Sequence, residues 1–319
     1  MTPPTQIIDR DSSPVAEGVS IGRSELVIGL ATRDRRQVVT DLVALTKPRV
    51  VLMVLVTTVV GYYVGLSGAP DYGRAIHLLL GTLLAAGGTL ALNQYLERDV
   101  DGRMERTRAR PLPDGRLAPL EAMLFGSAIT VAGLVYLAVF VNAVAAAVTV
   151  ATVVLYLFLY TPLKLRSPLC TLVGAIPGAL PPVTGWVAAR GELGLGAWVL
   201  FGILFLWQLP HTLAIARLYR DDYARAGIRL LPVVDPDGTS TERQVITGCL
   251  ALLAVSLLPT LIGMTGPIYF GGALVLGIVF VAFGVWQACT PSTTAARRVL
   301  FASLLYLPLL LALLAFDKG

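Results

Sequence analysis

Charge is what this chain has least of. Asp, Glu, Lys and Arg make up 14% of its 319 residues, against about 25% in an ordinary soluble domain, while hydrophobic residues make up 55%. That balance excludes a soluble globular domain. Alternation is missing too: Leu, Val and Ala run on without the polar–apolar segments of about ten residues that mark a membrane β-barrel. Cysteine is sparse, and Cys170, Cys249 and Cys289 lie in or near apolar runs with no C-x-x-C spacing. Neither a disulfide framework nor a zinc site is supported. The first 40 residues hold no apolar core of signal-peptide length and read as a mostly disordered cytoplasmic tail.

What the chain does have is apolar length. A spanning helix needs about 20 mostly apolar residues, and nine such stretches stand near 48–67, 76–97, 118–139, 142–160, 167–188, 195–218, 243–263, 267–288 and 297–316. The expectation is an all-α integral membrane protein, a bundle of about nine transmembrane helices forming one domain over 41–319. A net charge of +5 could suggest nucleic acid, but its distribution points to the lipid bilayer instead. Of the 25 Lys and Arg residues, only Arg74, Arg190 and Lys318 fall on one side of the predicted topology. The positive-inside rule then places the N-terminus in the cytoplasm and the C-terminus outside. A transporter would carry charges along the depth of several spans; here they gather at the inner surface.

The second span ends in "NQYLERDVDGRMERTRARPLPDG", residues 93–115. If the helix runs through it, Asn93, Glu97 and Asp101 stand at i, i+4 and i+8, within about 80° of arc. Asp99 points away. Such a group can be a solvated helix end whose acids pair with nearby arginines. It can also be a metal site, because carboxylates sit badly at the negative end of the helix dipole and repel one another at membrane depth unless a cation joins them. An all-oxygen set suits Mg²⁺, which takes one or two carboxylates and keeps water and substrate phosphates. Arg103, Arg106 and Arg110 follow, with the planar fork that matches phosphate oxygens. Metal and arginines together read as a diphosphate site.

Two further stretches are unusual. In "WQLPHTLAIARLYRDDYARAG" (207–227), His211 and Asp222 share a helical face about three turns apart, and Asp221 is rotated about 80° away. Asp222 is placed to hold a second Mg²⁺, with Asp221 as the other candidate. His211, below Pro210, is either a packing residue or a deeper anchor. In "LYTPLKLRSPLCTLVGAIPGALPPVTGW" (159–186), Tyr160 and Lys164 lie four apart at the inner end of the fourth span. Lys164 either reaches the diphosphate, with Arg166 beside it, or snorkels to the interface. The span that follows carries Pro177, Pro181, Pro182, Gly174, Gly178 and Gly185, and broken helices at this depth are tolerated where they line a cavity.

These stretches, with "LTKPRV" (45–50), resemble the UbiA-type membrane prenyltransferases over residues 42 to about 232, the remaining spans matching mainly by hydropathy. The superfamily's first motif, N-D-x-x-D-x-x-x-D, has Gln94 and Glu97 in place of its first two aspartates here. Its second, D-x-x-x-D, is absent, Tyr219 and Tyr223 standing at those positions. The Glu97 form and "PH" followed by "DYxxAG" look like the haem-directed branch. That resemblance implies transfer of the farnesyl group of farnesyl diphosphate to a vinyl group of haem B, with Mg²⁺ as cofactor and haem B as substrate. It implies roles for Asn93, Glu97, Asp101, Asp222, Lys164 and Tyr160 in catalysis and for His211 in holding haem. It also implies a bacterial-type plasma membrane and hand-over of product to a haem A synthase or terminal oxidase assembly. A quinone precursor or a chlorophyll-like ring is the rival acceptor. Tyr156, Tyr160 and Trp207 are the aromatic candidates to face an allylic cation.

Overall fold

The computed structural model describes residues 34–319. Nine helices among the described residues are long and apolar enough to cross a membrane: α2 (Pro48–Gly65), α3 (Tyr72–Asp101), α4 (Pro119–Phe140), α5 (Ala143–Leu163), α6 (Cys170–Arg190), α7 (Leu195–Leu218), α8 (Thr239–Leu261), α9 (Pro267–Cys289) and α10 (Thr293–Phe316). They follow α1, a shorter helix at Arg35–Leu45. Sequence and structure agree on every span to within a few residues. The expected tail, residues 1–40, lies mostly outside the described residues, and its last part is corrected: from Arg35 onward the chain is helical. Asp34 caps that helix through the Arg36 N–H, and Arg116 binds the buried Asp41 carboxylate at 3.1 Å, which gives a polar segment a reason to order.

The helices pack in a closed sequence. The broadest contacts join α3 to α4 and α2 to α6, and α7 to α10 form a second group that meets α2 again through α10. Lipid offers no hydrophobic drive for helices to associate, so close backbone approach through small residues supplies it. A Cβ at Gly88 would strike Thr130 and the Gly126 carbonyl across the α3–α4 seam, and one at Gly185 would strike the Thr58 carbonyl across α2–α6. The core follows the same seams, with Leu78, Leu137, Val187, Leu200 and Leu310 fully buried.

Three spans depart from regular helix: α8 is interrupted at Leu257, between Thr239–Ser256 and Leu258–Leu261, and the other two are α5 and α6. Within α5, Leu155–Tyr160 is π-helical, followed by one turn at Thr161–Leu163. In α6, Pro177 sits inside the first half, which ends at Ala179, and Pro181 begins the second. Proline cannot donate to the helical ladder and its ring displaces the carbonyl one turn back. Widened or broken turns at this depth persist where neighbouring helices cover them.

Candidate active site

The α3 helix does run through to Asp101 before its cap at Gly102, so Asn93, Glu97 and Asp101 form one stripe. Asn93 and Asp101 are each 1% exposed. Each member of the stripe meets a cation from elsewhere. Lys164 Nζ donates to Glu97 Oε1 at 2.6 Å, Arg110 Nη1 to Asp101 Oδ2 at 2.6 Å, and Lys47 Nζ to Asn93 Oδ1 at 3.2 Å. Asp99 is exposed and lies 3.8 Å from Arg98, away from the stripe. Gln94 donates to the Leu45 carbonyl at 2.7 Å, pinning the end of α1 against α3 and with it the neighbouring Lys47.

Burial lowers the Lys47 pKa to about 8, and the like charges of Arg110 and Lys164 contribute to that fall against the pull of Glu97 and Asp101. Burial opposes the charge of Lys164 as well, but Tyr160, Glu97 and Tyr156 outweigh it and hold its pKa well above the usual lysine value. The Lys164 ammonium lies 4.4 Å from the centre of the Tyr160 ring, and that ring packs so tightly on Gly174 that a Cβ there would collide with it. Lys47 and Thr161 were not among the sequence candidates. Lys47 stands 46 residues from its partner and in the left-handed conformation, φ 49°, which the Pro that follows it does not announce. A Thr in an apolar helix carries no signal of its own.

Two apolar hollows lie near the stripe, one reaching it through the Tyr160 ring beneath Lys164 and the other lined by Glu97 and Lys164 themselves. A central cavity of about 250 Å³ is walled by Tyr156, Tyr160, Pro177, Gly178 and Gln208 among others, and by Thr171, whose buried hydroxyl has no hydrogen-bond partner among the described residues. A second cleft of about 320 Å³ includes Leu96, Glu97, Phe158, Pro162 and Lys164, on the other side of α5. Charge at one end and hydrocarbon beyond it make a place for an amphiphile with an anionic head.

Several candidates fall elsewhere. Arg103 and Arg166 are exposed, and Arg106 lies over the Tyr219 ring at 5.3 Å. Asp221 is exposed. Asp222 is buried, but its oxygens accept from the Glu105 N–H at 3.1 Å, the Arg106 N–H at 3.4 Å and the Arg225 guanidinium. Burial would raise its pKa; these donors lower it. Asp222 therefore ties the loop after α3 to the loop after α7. His211 and Trp207 face α10. The His211 Nδ1 bonds Ser303 Oγ of α10 at 2.8 Å, its ring stacks on Trp207 at 4.6 Å, and Trp207 donates to the Ser303 carbonyl at 2.8 Å. Gln208 and Thr212, on the adjoining face of α7, line the cavity instead.

Among the described residues, no three of His, Cys, Asp and Glu gather as a metal cluster. The stripe offers two carboxylates and an amide oxygen, each held by a lysine or arginine. That is a poor closed cage and a good partial shell for an ion that brings water and phosphates of its own, as Mg²⁺ does. The donor set fits such an ion.

Among the described residues, nine apolar helices bring acids and cations face to face beside an apolar cleft, the arrangement of an integral membrane enzyme. The sequence profile of the UbiA prenyltransferase family matches residues 54–307, and the chain belongs to that family; it is a prenyltransferase. It is similar to the protoheme IX farnesyltransferase of Solibacter usitatus, 49% identical over 287 residues that cover 87% of this chain and 98% of that one. The protein of the same name from Koribacter versatilis is 44% identical, covering 87% and 93%, and that from Myxococcus xanthus 41%, covering 88% and 95%. Among solved structures, a digeranylgeranylglyceryl phosphate synthase superposes with a TM-score of 0.75 at 17% identity, over 88% of this chain and 98% of that one. A UbiA homolog from Archaeoglobus fulgidus bound to GPP and Mg²⁺ superposes at 0.61 and 16% identity, over 86% and 99%. These two likenesses are of fold.

Proposed function

We propose that this chain transfers the farnesyl group of farnesyl diphosphate to a vinyl group of haem B. The observation that carries the reading is the pairing of Asn93, Glu97 and Asp101 with Lys47, Lys164 and Arg110 beside an apolar, tyrosine-walled cavity. The haem acceptor is supported by the names of relatives that match nearly end to end. The allylic C–O bond breaks with its electron pair on the diphosphate, the vinyl π pair attacks the allylic carbon, and water adds to the resulting porphyrin-side cation with loss of a proton. Glu97, Asp101 and Asn93 would hold Mg²⁺, which supplies Lewis-acid charge for the leaving group when bound. Lys164, Lys47 and Arg110 then bind diphosphate oxygens; fixed cations in a site with little water favour the departing anion far more than solvent does. Tyr156 and Tyr160 turn aromatic rings toward the cavity, where a developing carbocation is attracted to them and apolar walls keep early water away.

In this reading residues 41–319 act as a single catalytic domain in a bacterial-type plasma membrane. The basic face is cytoplasmic, the side on which a soluble diphosphate head can arrive, and the product passes to a haem A synthase or a terminal oxidase. The test is a product assay. Purified protein in lipid is given Mg²⁺, farnesyl diphosphate and haem B, with a hydroxybenzoate as rival acceptor. A hydroxyethylfarnesyl porphyrin in the mass spectrum supports the proposal, whereas farnesylated benzoate alone assigns the chain to the quinone-directed reading.

A further inference from the structure

The π-helical turn of α5 ends at Tyr160 and is capped by Thr161, and Pro162, which has no N–H, follows it. The Tyr156 carbonyl receives two donors from Thr161, the backbone N–H across five residues and the hydroxyl at 2.8 Å. A threonine hydroxyl owns one hydrogen, and here it is committed to that carbonyl. Toward its third neighbour, Asn93 Nδ2 at 3.1 Å, the hydroxyl can only accept. The Asn93 amide must therefore turn its NH₂ to Thr161 and its oxygen the other way, where it meets Lys47 at 3.2 Å. An ammonium only donates, so both neighbours select the same one of the two amide orientations, which shape alone seldom distinguishes. Both residues are buried, Asn93 at 1% and Thr161 at 8% exposure, so bulk water does not substitute for either contact.

We propose that Thr161 is a positioning residue for prenyl transfer, which locks the Asn93 amide so that Oδ1 faces the cation and diphosphate beside Glu97 and Asp101. Without the hydroxyl only Lys47 still selects the orientation, and once a diphosphate draws that ammonium away the amide can present NH₂, a donor that repels a divalent cation. The lock also joins α3 to the widened turn of α5, the turn that carries Tyr156, Tyr160 and Lys164 to the site. The inference rests on the reading of the α3 stripe as the metal and diphosphate site.

The experiment measures Mn²⁺ affinity by electron paramagnetic resonance in the presence of an unreactive farnesyl thiolodiphosphate, alongside steady-state turnover. Thr161→Val, which keeps the shape and loses the hydroxyl, is expected to weaken Mn²⁺ binding by about 10-fold or more, as removal of a partner that orients a metal ligand typically does. Thr161→Ser is expected to restore it to within about twofold on the same scale. Asn93→Asp supplies the decisive background, because a carboxylate has two equivalent oxygens and no wrong way round; adding Thr161→Val to it is expected to change Mn²⁺ affinity little. If Thr161→Val does not fold, Thr161→Cys takes its place in every comparison. Unchanged Mn²⁺ affinity in the single variant, or an equal loss in the Asn93→Asp background, overturns the positioning role. Glu97→Gln separates the two levels: if it too leaves Mn²⁺ affinity intact, the metal reading of the stripe fails and takes the inference with it.

Discussion

Replacing Lys164 by Met removes one charge from a pair and leaves the other buried. Side-chain exposure of the two partners is 17% and 14%, so the pair is mostly but not wholly desolvated. Breaking a fully buried pair costs about 3–5 kcal/mol; with this residual solvent, about 2 kcal/mol is the reasonable size. The catalytic loss has a different origin, since removing one donor aimed at developing negative charge costs roughly 10²–10³ in kcat. The two effects separate in the double variant Lys164→Met/Glu97→Gln, in which no uncompensated carboxylate remains. Thermal unfolding of the unliganded protein is expected to fall for Lys164→Met and to recover in the double variant, while farnesyl transfer stays down in both. A double variant no less active than Glu97→Gln alone would mean that Lys164 serves only to neutralise Glu97. A single variant with full stability would refute the buried pair itself.

Asp101→Asn is expected to cut turnover by about 10²-fold or more, about 3 kcal/mol, and Asp99→Asn to change it little; equal losses in a radiolabelled farnesyl assay would dissolve the single-stripe argument. His211→Ala is expected to lower thermal stability by about 1–3 kcal/mol through the lost Ser303 bond and Trp207 stack. Its haem affinity and Soret band should match the parent's, and a shifted band would return His211 to the haem site. In a cysteine-free background, Arg108→Cys is expected to react with an impermeant thiol reagent only in inverted vesicles, and Glu192→Cys only in right-side-out cells. The opposite labelling would reverse the orientation.

Much of the site was legible because one helix carries its acidic half. Asn93, Glu97 and Asp101 share a face by helical arithmetic alone, and that arithmetic needs no tertiary contact. The basic half comes from three separate segments, and periodicity says nothing about which of them return to α3. The loop offers Arg103, Arg106 and Arg110 alike, yet only Arg110 pairs with the stripe, while the other two point to solvent or to Tyr219. Lys47 was counted only as a charge. The same limit governs α7: the helical count placed His211 on a face of its helix, yet which neighbour each face meets depends on α10 folding back beside it. The partners of Asp222 escape the sequence for a related reason, since two of them are backbone N–H groups of a loop that no pattern locates. The interrupted α6 was readable because proline and glycine act locally, whereas the widened turn of α5 depends jointly on Pro162, Thr161 and a partner on α3.

Lys47 joins α1 to α2 in a conformation that suits glycine or asparagine, with an ammonium that suits neither. A non-glycine residue there carries strain of about 1–3 kcal/mol. Two demands thus compete at one codon, the chain asking for a residue without a Cβ and the site asking for a cation. A laboratory lineage selected only for heat resistance would be drawn to give up this lysine early, gaining robustness as it loses the reaction. Lineages held to activity would keep it and find their stabilising changes elsewhere. The place where the polypeptide is least comfortable is then also the place where its history is most tightly constrained.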